Sequence, residues 1–134
     1  MIAVDTNVLI RILVDEPSQP IQVTAARALV SEAGKVFVPL VVLVEVVWVL
    51  ESAYGQPKAV VVHTLEHLLD NAAYAVECDQ QSRAALALFQ QSNADFADCL
   101  ILAGCQHRNL TLHTFDRRLA KLDGAAVVKV ESGK

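Results

Sequence analysis

The sequence is poor in charge and in aromatic rings. Only 19% of its 134 residues are charged and 5% are aromatic, whereas 54% are hydrophobic, a composition that excludes an intrinsically disordered chain. Its 11 basic residues are outnumbered by 15 acidic ones, which argues against a protein that holds nucleic acid through bulk positive charge. Bound metal ions would change the electrostatic field around a cluster of acidic residues. The excess of acidic residues is therefore compatible with an enzyme whose acidic cluster binds metal.

Several common motifs are absent from the sequence. Without G-x-G-x-x-G or G-K-S/T there is no support for dinucleotide or P-loop nucleotide binding, and without G-x-S-x-G none for a serine hydrolase. Cys78, Cys99 and Cys105 form no C-x-x-C pair, so we expect reduced thiols in a cytoplasmic protein. The longest apolar run, "VFVPLVVLVEVVWVL", has 15 residues that include Pro39 and Glu45. Because it is too short and too charged for a membrane span, no membrane association is expected.

The order of apolar segments predicts an α/β fold. Five short segments, "MIAV", "KVFV", "AYAV", "LTLHT" and "AAVVKV", are typical of strands, and stretches of helical periodicity separate them. Pro39 and Pro57 mark helix starts, and Gly34 and Gly55 mark helix ends. Connections of one or two helices favour parallel strands with helices on both faces. We expect a single domain over residues 1–134, with 131–134 as a flexible tail.

Acidic residues fall where parallel strands would end at a common edge, the usual place for a ligand. They come from four stretches of the chain: Asp5, Glu45, the pair Asp95 and Asp98, and Asp116. Simpler structural interpretations exist for three of them. Asp5 and Asp116 are suited to capping helices, and Asp95 is suited to closing a capping box with Ser92.

Asp98 and Glu45 do not fit a capping role. If the helix starts at Asn93, Asp98 lies too deep in it to act as a cap, and Asp95 one turn earlier repels it. Glu45 has apolar neighbours on its helix face, where we also expect Trp48 to belong to the core. An unpaired carboxylate in such surroundings is costly, so a cation is expected. Clustered carboxylates are hard ligands that suit Mg²⁺ or Mn²⁺.

A second metal motif is weaker. "HTLEH" has the H-x-x-E-H form of an inverted zinc-peptidase motif, which puts His63 and His67 on one helix face. No third ligand is evident, so a surface pair or a dimer-face pair of histidines is the favoured interpretation. Phe96 is expected in the core, with the wall of a cleft as the alternative.

Four segments together resemble the acidic motifs of the PIN-domain nucleases, and most closely those of VapC-type toxins: "IAVDTNVLIRIL", "LVEVVWVLE", "ADFADCLILAG" and "LHTFDRRLAKL". The resemblance implies a three-layer sandwich with a parallel sheet of about five strands flanked by helices. It implies that the catalytic and metal-binding residues are Asp5, Glu45, Asp98 and Asp116, and that the accessory residues are Asp95, Thr114, Thr6 and Asn7. The apolar segment "PLVVLV" before Glu45 departs from relatives, which often carry a hydroxyl there.

The resemblance implies a Mg²⁺- or Mn²⁺-dependent endoribonuclease that leaves 5′-phosphate and 3′-hydroxyl ends. It also implies a homodimer that acts as a toxin and binds a cognate antitoxin, with a larger assembly with the antitoxin as the alternative. Near a phosphodiester, Arg117, Arg118 or Arg11 would be placed to hold the RNA backbone, although solvated charges are the simpler interpretation. The alternative function is a PIN-like module that binds RNA or protein without cutting.

Overall fold

Helices and short parallel strands alternate along the chain in a computed structural model, which describes residues 1–131. The chain divides into two compact units, Met1–Asp79 and Gln80–Lys134. The order of helices and strands is that of an α/β protein, and all five predicted strands are present. The α/β class is therefore confirmed, while the single domain stays a prediction.

The first unit contains three strands and four helices. Its elements are β1 (Ile2–Ala3), α1 (Thr6–Leu13), α2 (Pro20–Ala33), β2 (Val36–Val38), α3 (Leu40–Ser52), α4 (Lys58–Asp70) and β3 (Tyr74–Val76). The three strands form a parallel sheet in the order β1-β2-β3. Val36 and Val38 of the central strand are fully buried, as expected for a strand with a neighbour on either side and helices nearby.

The second unit contains two helices and two strands. Its elements are α5 (Asp79–Gln91), α6 (Phe96–His107), β4 (Leu112–Thr114), a single 3₁₀ turn (Leu119–Lys121) and β5 (Ala125–Val127). Strands β4 and β5 pair in parallel, with Leu112 opposite Ala125 and Thr114 opposite Val127. Phe96 at the start of α6 packs edge-to-face on Phe89 of α5, with ring centroids 5.8 Å apart. Its side chain is only 2% exposed, which confirms the prediction that Phe96 belongs to the core.

The strand pairing differs from the expected single sheet. Within residues 1–131 the hydrogen bonds join the strands into one sheet of three and one of two. Apolar segments identify strands in a sequence, but partner choice depends on contacts between distant segments, so the pairing was not encoded in the local pattern. The segment "DRRLAKL" forms only the 3₁₀ turn, and "AAVVKV" is a strand only over Ala125–Val127. Of the predicted tail, residues 132–134 lie outside the described part.

One core prediction was wrong. The Trp48 side chain is 66% exposed, and Val41 on the same side of α3 is 68% exposed. Helix α3 is so apolar that its periodicity did not separate the buried face from the exposed one. The buried face is formed by Val42, Leu43, Val46, Val47 and Leu50. Over residues 1–131, no helix combines the length and the apolar character needed to cross a membrane.

Candidate metal-dependent nuclease site

Asp5 lies between the first strand and the first helix, and its carboxylate caps that helix. Its Oδ1 accepts a hydrogen bond of 3.0 Å from the backbone amide of Val8. The capping role considered from the sequence is therefore confirmed. Only Oδ1 of the carboxylate takes part in this bond. Asp5 is exposed and therefore accessible to solvent.

A cleft of about 370 Å³ opens beside Asp5 in the first unit. Asn7 and Arg11 of α1 line it with Asp5, and α2 contributes the opposite wall. Thr6 and Asn7 occupy the first two positions of α1, so the helix that Asp5 caps also orients them. The proposed accessory pair is thus beside the first proposed metal ligand because the three residues are consecutive.

Arg11 is held by neutral hydrogen-bond acceptors. Its Nε donates to Oε1 of Gln22 at 3.0 Å and its Nη1 donates to the hydroxyl of Tyr54 at 3.3 Å. The Tyr54 hydroxyl in turn donates to Oε1 of Glu16 at 3.1 Å. These bonds tie α1 to α2 and to the segment after α3. They give Arg11 a structural role that the sequence did not reveal.

Glu45 is exposed on α3, and this corrects the prediction that it lies in costly apolar surroundings. Its neighbours one turn away, Val41 and Trp48, are themselves largely exposed. A solvated carboxylate does not need a buried counter-charge. The argument for a metal at Glu45 therefore does not follow from burial, and only its position in the motif supports that role.

Glu77 holds the start of the helix that carries Glu45. Helix α3 begins after Pro39, which provides no side-chain cap. Oε1 of Glu77, just beyond β3, accepts a hydrogen bond of 2.7 Å from the backbone amide of Leu40. The sequence analysis missed this residue. The available signal was its position, an acidic residue directly after the apolar segment "AYAV".

Asp95 and Asp98 lie at the start of α6. The helix begins at Phe96, three residues later than predicted, so Asp98 is in its first turn. Asp98 is therefore nearer the helix start than predicted, but the N-cap position belongs to Asp95 and not to Asp98. Asp95 is the N-cap residue but its side chain makes no capping hydrogen bond. Ser92 instead accepts from the amide of Ala94 and donates to the carbonyl of Leu88, so the expected capping box does not form.

The pKa of the Asp98 carboxyl group is raised above its ordinary value. Its partial burial raises its pKa above the usual 3.8, and the negative charges of Asp95 and Asp116 raise the pKa further. Helix geometry explains the first charge, because residues three apart share a face. Asp116 comes from the loop after β4. The charges of Asp95 and Asp116 thus both act on Asp98 within the second unit, and a cation beside Asp98 would favour its ionised form.

Asp116 forms hydrogen bonds through both its side chain and its backbone amide. Its Oδ1 accepts hydrogen bonds from the amides of Arg118 at 2.8 Å and Leu119 at 3.2 Å. Its own amide donates to the hydroxyl oxygen of Thr114 at 3.0 Å. Asp116 thus stabilises the turn after β4 through one carboxylate oxygen, but the N-cap residue of the 3₁₀ turn is Arg118, so the capping interpretation of Asp116 is not confirmed. Thr114 accordingly supports the turn that presents the Asp116 carboxylate.

The arginines after Asp116 differ in their surroundings. Both are exposed, but the side chain of Arg117 lines a cleft in the second unit and that of Arg118 does not. The structure therefore distinguishes two residues that the sequence left equivalent.

Comparison with known proteins decides the family. The profile of the PIN domain matches residues 2–125. The chain belongs to the PIN domain family. This PIN domain is 28% identical over 120 residues to a VapC ribonuclease of Aquifex aeolicus (strain VF5), an overlap that covers 88% of this chain and 89% of that protein. The resemblance found from the four acidic segments is thereby confirmed.

The acidic residues of this PIN domain have the chemistry that a divalent metal requires. Carboxylate oxygens are hard donors that suit Mg²⁺ or Mn²⁺, and a cation would relieve the repulsion that raises the pKa of Asp98. In residues 1–131, no three or more histidine, cysteine or acidic side chains are arranged as a metal-binding group. Among these described residues, His63 and His67 likewise belong to no such group, although both line a cleft of about 400 Å³ in the first unit. The donor set fits the metal by charge and type.

All three cysteines are free thiols. Cys99 is buried, Cys105 is half-buried and Cys78 is exposed. This agrees with the prediction that the cysteines of this PIN domain are not paired.

Proposed function

We propose that this PIN domain is a Mg²⁺- or Mn²⁺-dependent endoribonuclease that acts as the toxin of a toxin–antitoxin pair. The observation that carries the proposal is the environment of Asp98, where burial and then the negative charges of Asp95 and Asp116 raise the pKa of its carboxyl group, so that a bound cation would favour its ionised form. The similarity to a VapC ribonuclease supports RNA as the substrate class.

In this proposal Asp5, Glu45, Asp98 and Asp116 hold the metal, and Asp95 adds negative charge beside Asp98. The metal, when bound, would orient the phosphodiester, help to ionise the attacking water and stabilise the leaving oxygen. Amide hydrogen bonds from Val8 to Asp5 and from Arg118 and Leu119 to Asp116 fix the carboxylates before substrate arrives. Preorganised ligands of this kind avoid a rearrangement during the reaction.

Basic side chains would orient the RNA. Arg117 is the first choice because it is exposed, follows Asp116 and lines a cleft. Arg118 is exposed in the same loop, and Arg11 lies beside Asp5 with its guanidinium already bonded to Gln22 and Tyr54. We therefore expect Arg117 to contribute more to backbone binding than the other two arginines.

Cleavage of a labelled RNA by the purified protein tests the proposal, with Asp98→Asn as the decisive variant. We expect cleavage that needs Mn²⁺ or Mg²⁺ and stops with a chelator, and a fall of at least about a hundredfold in Asp98→Asn. Asp123→Asn is the matched control, because Asp123 is an exposed acid of the same unit. Full cleavage by a folded Asp98→Asn protein would contradict the proposal. Purified protein that binds RNA but never cuts it, with or without metal, would support the alternative of a non-cleaving module.

The proposed toxin role in the cytoplasm is tested by expressing the protein in cells. Expression in cells should halt growth and produce new RNA ends, and Asp98→Asn should do neither. Co-expression of the cognate antitoxin should restore growth, and we propose that the antitoxin inserts a basic side chain among the carboxylates. Sequencing of RNA ends after induction would identify the cleavage sites. Growth arrest that persists in Asp98→Asn would separate toxicity from the acidic site.

The proposed homodimer would cover apolar surface on α3. Val41 and Trp48 lie on either side of Glu45 along the helix and are 68% and 66% exposed. Exposed apolar side chains grouped on one face are typical of interaction surfaces. The family resemblance suggests a second copy of the chain as the occupant, in a larger assembly when the antitoxin is bound.

A further inference from the structure

The cleft of the second unit that Arg117 lines has the composition of a nucleic-acid groove. It has a volume of about 790 Å³ and lies at the carboxyl ends of β4 and β5. We refer to it as the basic cleft, and the residues that matter for the argument are Phe115, Arg117, Lys121, Val127, Lys129 and Val130. The carboxyl ends of parallel strands are the edge at which α/β proteins bind ligands.

The charge of the basic cleft is opposite to that of the whole protein. The chain has a net charge of −4, yet the cleft is lined by three cations, Arg117, Lys121 and Lys129, and by no acidic residue. All three cations are exposed. In the part of the chain that the structure describes, none of the three forms a salt bridge. Their charges are therefore available to an anionic ligand.

An exposed aromatic ring accompanies these cations. Phe115 is 72% exposed, although aromatic residues make up only 5% of the chain. Val127 and Val130 add exposed apolar surface to the same cleft. A groove that combines cations with an accessible ring matches the way proteins bind single strands, with phosphates on the cations and an unpaired base stacked on the ring.

The basic cleft adjoins one of the proposed metal ligands. Phe115 and Arg117 directly precede and follow Asp116, so their Cα atoms are each about 3.8 Å from that of Asp116. The Asp116 turn is fixed by the hydroxyl of Thr114 and by the amides of Arg118 and Leu119. A strand whose phosphodiester reaches the Asp116 carboxylate would therefore have nucleotides beside Phe115 and Arg117.

We propose that the basic cleft binds single-stranded RNA next to the cleavage position, with Phe115 stacking on a base and Lys121 and Lys129 contacting phosphates. The inference rests on the proposed nuclease function, because it places the substrate strand relative to Asp116. It goes beyond that function because it assigns the residues that hold the RNA strand and specifies that the strand is unpaired. A duplex cannot offer a base face to Phe115 without losing a base pair.

The binding of a fluorescein-labelled 12-nucleotide oligouridylate tests the proposed role of the basic cleft. Binding is measured by fluorescence anisotropy in the presence of chelator at several salt concentrations. The Asp98→Asn protein serves as the background, so that cleavage does not interfere. In Lys121→Gln/Lys129→Gln we expect affinity to fall about twentyfold at 0.1 M salt, and the slope of log affinity against log salt to become shallower by about 1.4. The matched control, Lys35→Gln/Lys58→Gln, removes the same charge outside the cleft.

Stacking is tested separately with Phe115→Leu. We expect its affinity to fall about fivefold or more while the salt slope stays unchanged, because the lost interaction is not ionic. Ile21→Ala is the control, since Ile21 is an exposed apolar residue outside the cleft. Circular dichroism establishes that each variant is folded. A 12-base-pair RNA duplex is expected to bind at least tenfold more weakly than the single strand.

The outcomes separate this inference from the proposed function. The proposal for the basic cleft would be wrong if the cleft variants and their controls lost RNA affinity equally. It would also be wrong if the duplex bound as tightly as the single strand. Both conclusions would hold even if Asp98→Asn abolishes cleavage. Selective loss in the cleft variants would support it even if the wild-type protein proved unable to cut RNA.

Discussion

The hydroxyl oxygen of Thr114 accepts a hydrogen bond of 3.0 Å from the backbone amide of Asp116. The bond closes a short turn at the carboxyl end of β4, and the turn continues with two amide bonds to Oδ1 of Asp116. Thr114 thus acts on the proposed metal ligand through the backbone. Serine and threonine hydroxyls commonly stabilise turns in this way.

The first prediction concerns this hydroxyl. Thr114→Val keeps the shape and the strand preference of the side chain but removes the acceptor, so we expect Mn²⁺ affinity to fall about tenfold. Thr114→Ser keeps the acceptor and should bind Mn²⁺ almost as the wild type does. Isothermal titration measures both. If valine and serine gave the same affinity, the hydroxyl would have no part in positioning Asp116.

The second prediction concerns the stability of the metal-free protein. Because the folded-state pKa of Asp98 is raised, the folded state binds its proton more tightly than the unfolded state does. The favourable contribution is present below the usual value of 3.8 and is lost as pH rises through the folded pKa. Asp98→Asn removes the repulsion with Asp95 and should stabilise the metal-free protein at pH 7 by about 0.3 kcal/mol.

Urea unfolding in chelator at pH 7 and at pH 3.5 measures this effect. The gain in Asp98→Asn should be smaller at pH 3.5, where Asp98 of the wild type is largely protonated. Added Mn²⁺ should reverse the order at pH 7, because a ligand that binds only the folded state raises its stability. Destabilisation by Asp98→Asn in chelator at pH 7 would show that the carboxylate has a favourable structural partner.

The third prediction concerns the cap that Glu77 provides. Glu77→Ala removes the acceptor for the Leu40 amide, and loss of a helix cap costs about 1 kcal/mol. Glu77→Gln retains a carbonyl oxygen and should lose less than half of that. The free energy of unfolding in urea is the appropriate measurement. Equal stability of the alanine variant and the wild type would show that water replaces the Glu77 oxygen at no cost.

The fourth prediction concerns the exposed face of α3. Trp48→Ser should convert the proposed homodimer to monomer and lower the unfolding free energy of the monomer little, because the ring is already 66% exposed. Ile21→Ser is the control, since Ile21 is 84% exposed on α2. Analytical ultracentrifugation gives the association state. A wild-type protein that is monomeric at all concentrations would contradict the proposed dimer.

Local patterns in the sequence were sufficient for most elements and for two of the acidic positions. Strand segments and helix starts at Pro39 and Pro57 depend on neighbouring residues, and the structure has them close to the predicted positions. The cap formed by Asp5 and the turn held by Asp116 involve amides only two or three residues away. Short-range hydrogen bonds of this kind follow from residue type and spacing alone.

Contacts between distant segments settled the rest. The nearly uniform apolar character of α3 concealed that Trp48 and Glu45 face solvent. The bond from Leu40 to Glu77 spans 37 residues, and the charge of Asp116 reaches Asp98 from another element. Partner choice among strands and the grouping of cations in the basic cleft likewise depend on how the chain packs. Burial and long-range electrostatics are properties of the folded chain, so no local pattern contains them.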